Sequence, residues 1–129
     1  MGLRICVGGV TGWTGSALAK AVLDEPDLDL AGAVARKAAG QDAGQAVGRD
    51  AIGLPVAASV ETALQASPTD VYIDYTHPSS VKANVLTALK LGVPVIVGTS
   101  GLTASDYAEI AKAADHQGLG VVASGNFSL

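Results

Sequence analysis

Apolar and polar positions along this chain follow two alternating periods. Short, β-branched apolar runs at residues 5–7, 28–34, 71–75, 93–97 and 120–123 predict strands, and residues 55–57 predict a further brief one, six in all. Between these runs the apolar positions recur at helical spacing. Ala17, Leu18, Ala21 and Val22 mark a helix over 16–23 that Asp24, Glu25 and Pro26 bring to an end. A second helix is predicted from the N-cap Ser59 through Ala66, and a third from Ser79 or Ser80 to Leu91, closed by Gly92. The pair Thr103 and Asp106 predicts a capped start for a helix over 104–117, with Gly118 as its terminator. Residues 38–54, rich in Ala, Gly and Gln, predict a loop that holds a short helix at 42–47.

Strands and helices that alternate in this way predict an α/β fold: a Rossmann-like, doubly wound, mainly parallel sheet with helices on both faces. At 129 residues the chain is long enough for one such domain, 1–129, and too short for two. Composition narrows the picture further. Nearly half the residues are hydrophobic, yet Trp and Phe occur once each and Tyr three times, so the core must be built from Ala, Val, Leu and Ile. A formal net charge of -4 with scattered cations argues against nucleic acid or an anionic membrane surface as partner. No apolar run reaches membrane-spanning length and no signal-like leader precedes the first strand, which predicts a soluble, cytoplasmic protein. The single Cys6 lies inside the first predicted strand and reads as a small buried apolar residue rather than a nucleophile. Asp24, Glu25, Asp27 and Asp29 surround a proline turn and read as a solvated loop, so no metal site is expected.

The chemistry starts where the first strand empties into glycines at 8, 9, 12 and 15 and then a helix. Glycines there permit a tight turn and close approach of backbone to a pyrophosphate, while the helix start offers free N–H groups and partial positive charge. The spacing G-x-x-G-x-x-G differs by one residue from the common dinucleotide fingerprint and alone is a weak signal, since a tight structural turn is the other reading; the strand before it and the helix after it favour the ligand-binding one. A second signal stands at the end of the next strand. A carboxylate there would receive an adenosine ribose, whereas this chain has Ala35 followed by Arg36 and Lys37, a pair suited to a 2′-phosphate. The expected cofactor is therefore NADP(H), with NAD(H) as the alternative, and a solvated basic loop as the reading without a ligand. Two later strands deliver Thr76, His77 and Pro78, then Gly98, Thr99, Ser100 and Gly101, to the same carboxyl edge of the sheet. His77 is the better placed of the two imidazoles, and its turn-like neighbours favour positioning a loop over donating a proton; His116 sits near a helix end.

Four segments coincide in type and order with one family: V-G-G-V-T-G-W-T-G at 7–15, Q-D-A-G-Q-A-V-G at 41–48, V-Y-I-D-Y-T-H-P at 71–78, and V-I-V-G-T-S-G at 95–101 with G-N-F-S at 125–128. Together they resemble the nucleotide-binding domain of 4-hydroxy-tetrahydrodipicolinate reductase, an enzyme family of lysine and diaminopimelate biosynthesis. The resemblance implies that Gly9, Val10, Thr11, Gly12, Trp13 and Thr14 cradle a pyrophosphate and that Arg36, helped by Lys37, meets a 2′-phosphate. It further implies that Gly98, Thr99 and Ser100 lie beside the nicotinamide, and that Ser124, Gly125, Asn126 and Phe127 complete the cleft.

Where this chain has Trp13 and Thr14 the family usually has Arg-Met; where it has Ala35 an acidic residue is common; and Gly125 replaces Pro or Ala. The family continues past N-F-S into a substrate and tetramerisation domain, so catalytic groups and the small-molecule substrate are expected there, and this chain alone is expected to bind cofactor with little or no turnover. Quaternary structure stays open on the sequence, a homo-oligomer formed through an apolar patch or an unpaired sheet edge being one outcome. Two other classes stay open on the residues: a non-catalytic dinucleotide-binding module, and the coenzyme A domain of an acyl-CoA ligase, which shares the glycine turn and the alternating layout.

Overall fold

The computed structural model describes residues 2–123. Among them, β1 (Leu3–Gly8), β2 (Leu28–Val34), β3 (Val71–Asp74), β4 (Val95–Val97) and β5 (Val121–Ala123) form one sheet in the order β2-β1-β3-β4-β5, with all neighbours parallel. Five helices connect them: α1 (Trp13–Asp24), α2 (Ala43–Ala46), α3 (Val60–Ala66), α4 (Val81–Lys90) and α5 (Ala104–Gln117). The fold is thus the expected doubly wound α/β sheet.

Two apolar layers hold the helices against the sheet. On one face Ile5, Val7, Ala33 and Ile73 meet Ala19 and Val22 of α1 together with Ala43, Val47 and Val56. On the other, Cys6, Val34, Tyr72, Val95 and Val97 meet Val60, Ala63 and Leu64 of α3, Val81, Val85, Ala88 and Leu89 of α4, and Ile110 and Ala114 of α5. Small and β-branched side chains dominate both layers, as the scarcity of aromatic residues requires. From β1 the chain moves outward through α1 to β2, then crosses back to β3 on the opposite side of β1. The direction of winding reverses between β1 and β3, which is where an open parallel sheet leaves a crevice at the carboxyl ends of its strands.

One predicted strand is not a strand. Residues 54–57 instead lie along the free edge of β2, where Ala57 N–H donates to Ala33 (2.8 Å) and Ala35 N–H donates to Ala57 (3.0 Å), with isolated bridges Val34–Ala57 and Asp42–Pro55. Pro55 has no N–H to extend a ladder, and the opposite side of the segment is taken by Gly40 and Ala43, whose N–H groups donate to Val56 and Leu54 at 2.8 and 2.7 Å. The segment shields the edge of β2. Similarly, β4 starts two residues later than the apolar run suggests, Pro94 contributing only its carbonyl, which accepts from Tyr72 N–H at 3.0 Å. Among the described residues no helix is long and apolar enough to cross a membrane.

Candidate functional site

The glycine turn is held by packing as well as by its own hydrogen bonds. Gly9 and Val10 both donate N–H to the Val34 carbonyl, at 2.9 and 3.1 Å, and Gly12 N–H donates back to Gly9 at 3.0 Å. Gly9 has φ +79 and lies against the Tyr75 carbonyl, so a side chain there is excluded both by conformation and by space. Gly15, in the first turn of α1, rides on the Gly9 carbonyl, and a Cβ at that position would collide with it. Val10 is fully buried and pins the turn into the layer beneath α1. The N-cap of α1 is Gly12, which offers no side chain to its first-turn N–H groups, and no acidic residue stands in that turn. The positive end of the helix is thereby left to an anion.

The turn forms one wall of a cleft of about 610 Å³. Opposite walls come from Val34, Ala35, Arg36 and Lys37 after β2, from Ser59 at the start of α3, and from Tyr75, Thr76, His77, Ser79, Ser80 and Asn84 around the β3–α4 loop. Arg36 and Lys37 are exposed, whereas Ala35 is buried. The Arg36 guanidinium spans the cleft, its Nη2 donating to Ser80 Oγ at 3.2 Å. Ser80 is the N-cap residue of α4 yet makes no side-chain cap, its hydroxyl being engaged by Arg36 instead.

Beside this cleft the ends of β3 and β4 are locked together. Asp74 is fully buried. Its Oδ1 accepts from Thr76 N–H (3.0 Å), Thr76 Oγ1 (2.7 Å) and Thr99 Oγ1 (2.7 Å), while Oδ2 accepts from Tyr72 Oη at 2.5 Å. The Asp74 main-chain carbonyl accepts from Gly98 and Thr99 N–H at 2.9 and 3.1 Å. A Cβ on Gly98 would enter the Tyr75 ring, and Gly101, at φ +107, faces Pro78. The D-Y-T-H-P and G-T-S-G segments are therefore two halves of one interlocked piece. Burial and then the nearby Asp74 charge raise the Tyr72 phenol above its ordinary value, and the same two causes push the Cys6 thiol up to about 12. Cys6 is thus an inert core residue.

Of the residues singled out from the sequence, Gly9, Thr11, Gly12, Arg36 and Lys37 meet in the one cleft. Val10 supports the turn from below, and Thr14 is exposed on the first turn of α1. Trp13 is 96% exposed and lies over a separate shallow groove along α1, with Ser16, Ala17 and Lys20. Gly98, Thr99 and Ser100 follow β4 and are not among the residues that line the cleft; Gly98 lies against the Tyr75 ring and Thr99 turns its hydroxyl inward to Asp74. Ser124, Gly125, Asn126 and Phe127 lie outside the described residues. Ser59 and Ser80, expected only as helix caps, prove to line the cleft as well, and Asp74 had no expected role; an Asp closing the apolar run V-Y-I-D was the available signal for it. Among the described residues no group of three or more His, Cys, Asp or Glu side chains is arranged to hold a metal ion.

Residues 3–127 match the family model described as dihydrodipicolinate reductase, N-terminus. The chain is 37% identical over 131 residues to the 4-hydroxy-tetrahydrodipicolinate reductase of Thermosynechococcus vestitus, covering 98% of this chain and 48% of that protein. It is 31% identical over 128 residues to the same enzyme of Desulfitobacterium hafniense, with the same coverages of 98% and 48%. The chain thus spans about half the length of the curated relatives it matches. Among solved structures, dipicolinate-bound dihydrodipicolinate reductase from Paenisporosarcina sp. TG-14 superimposes with TM-score 0.82 at 24% identity, over 99% of this chain and 49% of that one. Amine dehydrogenase from Mycobacterium smegmatis gives TM-score 0.83 at 22% identity, over 95% and 39%. These two likenesses show the shared fold.

Proposed function

The chain belongs to the dihydrodipicolinate reductase family, matching its N-terminal part, and from that membership we propose that it binds a nicotinamide dinucleotide with preference for NADP(H) over NAD(H). One observation carries the preference: Arg36 and Lys37 share a cleft with the uncapped start of α1, and the position before them is the buried Ala35 rather than a carboxylate. The helix start suits the pyrophosphate, and the two cations suit a 2′-phosphate a few ångströms further along the same edge. Strand order β2-β1-β3-β4 then leaves the nicotinamide half for the joined ends of β3 and β4.

When bound, such a cofactor supplies hydride chemistry of its own, and the protein's part is to hold the reactive ring and shelter it from water. The family points to a cyclic imine dicarboxylate, 4-hydroxy-tetrahydrodipicolinate or a close analogue, as hydride acceptor in lysine and diaminopimelate biosynthesis. In this proposal substrate groups and the catalytic acid belong to a further domain of the full enzyme, a cytoplasmic homo-oligomer, and the 129-residue chain has little or no turnover by itself. Replacing Arg36 and Lys37 by Ala together should weaken NADPH roughly tenfold or more while leaving NADH within about twofold. Equal losses for both dinucleotides would remove the 2′-phosphate assignment.

A further inference from the structure

We propose that Asp74 is a positioning residue for the nicotinamide half of the cofactor, acting through Thr76 and Thr99 to hold the ends of β3 and β4 as a single wall; this rests on the dinucleotide reading above. A carboxylate removed from water is costly unless donors surround it, and Asp74, fully buried, has four. Their origin is informative. One comes from Tyr72 on its own strand, two from Thr76 just beyond the strand, and one from Thr99 in the neighbouring turn. Three of the four therefore converge on Oδ1 from the two turns at the carboxyl edge, rather than from the helices that cover the sheet.

The network also runs outward. Thr76 Oγ1 donates to Asp74 and accepts from Asn84 Nδ2 at 3.1 Å, so the chain of hydrogen bonds passes from the buried carboxylate to Thr76 and Asn84, both of which line the cleft. Thr99 is buried and its one hydroxyl proton is directed at Asp74, with Oδ1 at 2.7 Å and the main-chain carbonyl at 3.0 Å, so it cannot donate to a ligand; what the turn offers outward is its backbone, at a height set by that bond. The Tyr75 ring over Gly98 and Pro78 against Gly101 close the remaining freedom between the two turns. The parts of the cleft lining around Arg36 and Lys37 that come from β2, the glycine turn and the start of α3 make no bond to the Asp74 carboxylate, and Thr99 itself stands outside that lining.

That division gives a test which general loss of stability would not mimic. Thr99→Val keeps the side-chain shape and removes one donor from Oδ1, whereas Thr99→Ser keeps the donor. Binding of NADPH and of adenosine 2′,5′-bisphosphate is measured by titration calorimetry on the same preparations of the chain, with the unfolding midpoint followed by circular dichroism. The expected result for Thr99→Val is about a tenfold loss for NADPH with the bisphosphate changed by less than about twofold, and recovery of NADPH binding in Thr99→Ser. Unchanged NADPH binding in Thr99→Val, or equal loss of both ligands, would overturn the positioning role while leaving the dinucleotide reading intact. If the unaltered chain bound neither ligand, the dinucleotide reading would fall and this inference with it. Should Thr99→Val not fold, Asp74→Asn, which retains an acceptor at Oδ1, is expected to show the same selective loss to a smaller degree.

Discussion

A single methyl group at Gly15 would be driven into the carbonyl oxygen of Gly9, the atom on which the first turn of α1 rests. Because the obstacle is backbone within a turn already tied to Val34 and packed against Tyr75, it has no room to retreat. Gly15→Ala should therefore lower stability by about 1–3 kcal/mol, the range for overpacking a close contact, and reduce dinucleotide binding beyond that loss. Urea unfolding combined with NADPH titration checks it, and a variant as stable and as tight-binding as the parent would refute the packing role. Individual residues were unevenly legible. The glycines announced the turn because few other residues fit there, and Arg36 with Lys37 stood out as paired cations after a strand. Thr99 and Asp74 were opaque: a hydroxyl beside glycines looks ligand-facing in sequence, and only the fold shows it donating inward to a carboxylate 25 positions earlier.

At the scale of elements, the helix starts carry the clearest sequence signals and also the pH dependence. Thr103 and Asp106 form a reciprocal capping box at α5, as their spacing predicted, and Asp42 caps α2 while also accepting from the N–H groups of Ile52 and Gly53. For Asp42, desolvation pushes its carboxyl upward, but the N–H donors of Gln45, Ile52 and Gly53 outweigh it and leave the group below the usual carboxylate range. For Asp106 the backbone N–H of Thr103 is the main cause of a similar lowering, assisted by Lys82. A carboxylate held low in the folded state contributes stability at neutral pH that persists down to its unfolded value near ~4 and is lost as pH falls through its folded value. The unfolding midpoint should therefore be flat from neutral pH to about 5 and fall below ~4, and Asp42→Asn with Asp106→Asn should be less stable at pH 7 and fall less steeply in acid. A variant with the parent's slope would exclude these two groups as the cause. Residues 55–57 carry a strand-like pattern yet make only isolated bridges, because the bonds that define the segment come from Gln41 and Ala33, distant in sequence.

On the scale of the whole molecule, the alternation of periods was enough to give a parallel, doubly wound sheet, since right-handed crossovers leave few other arrangements. Strand order was not legible in the same way; it depends on the chain crossing β1 after β2, which no local pattern encodes. That crossing brings the α1 start, the Arg36 segment and the β3–α4 loop to one cleft and puts the β4 turn beside it. In the proposed function this edge receives a dinucleotide bearing a 2′-phosphate. Calorimetric titration of the chain with NADPH, NADH and coenzyme A at one fixed low salt concentration tests it most directly. Saturable binding of NADPH, weaker binding of NADH and none of coenzyme A is the expected result; absence of binding by both dinucleotides, or binding of coenzyme A in their place, would contradict the proposed function.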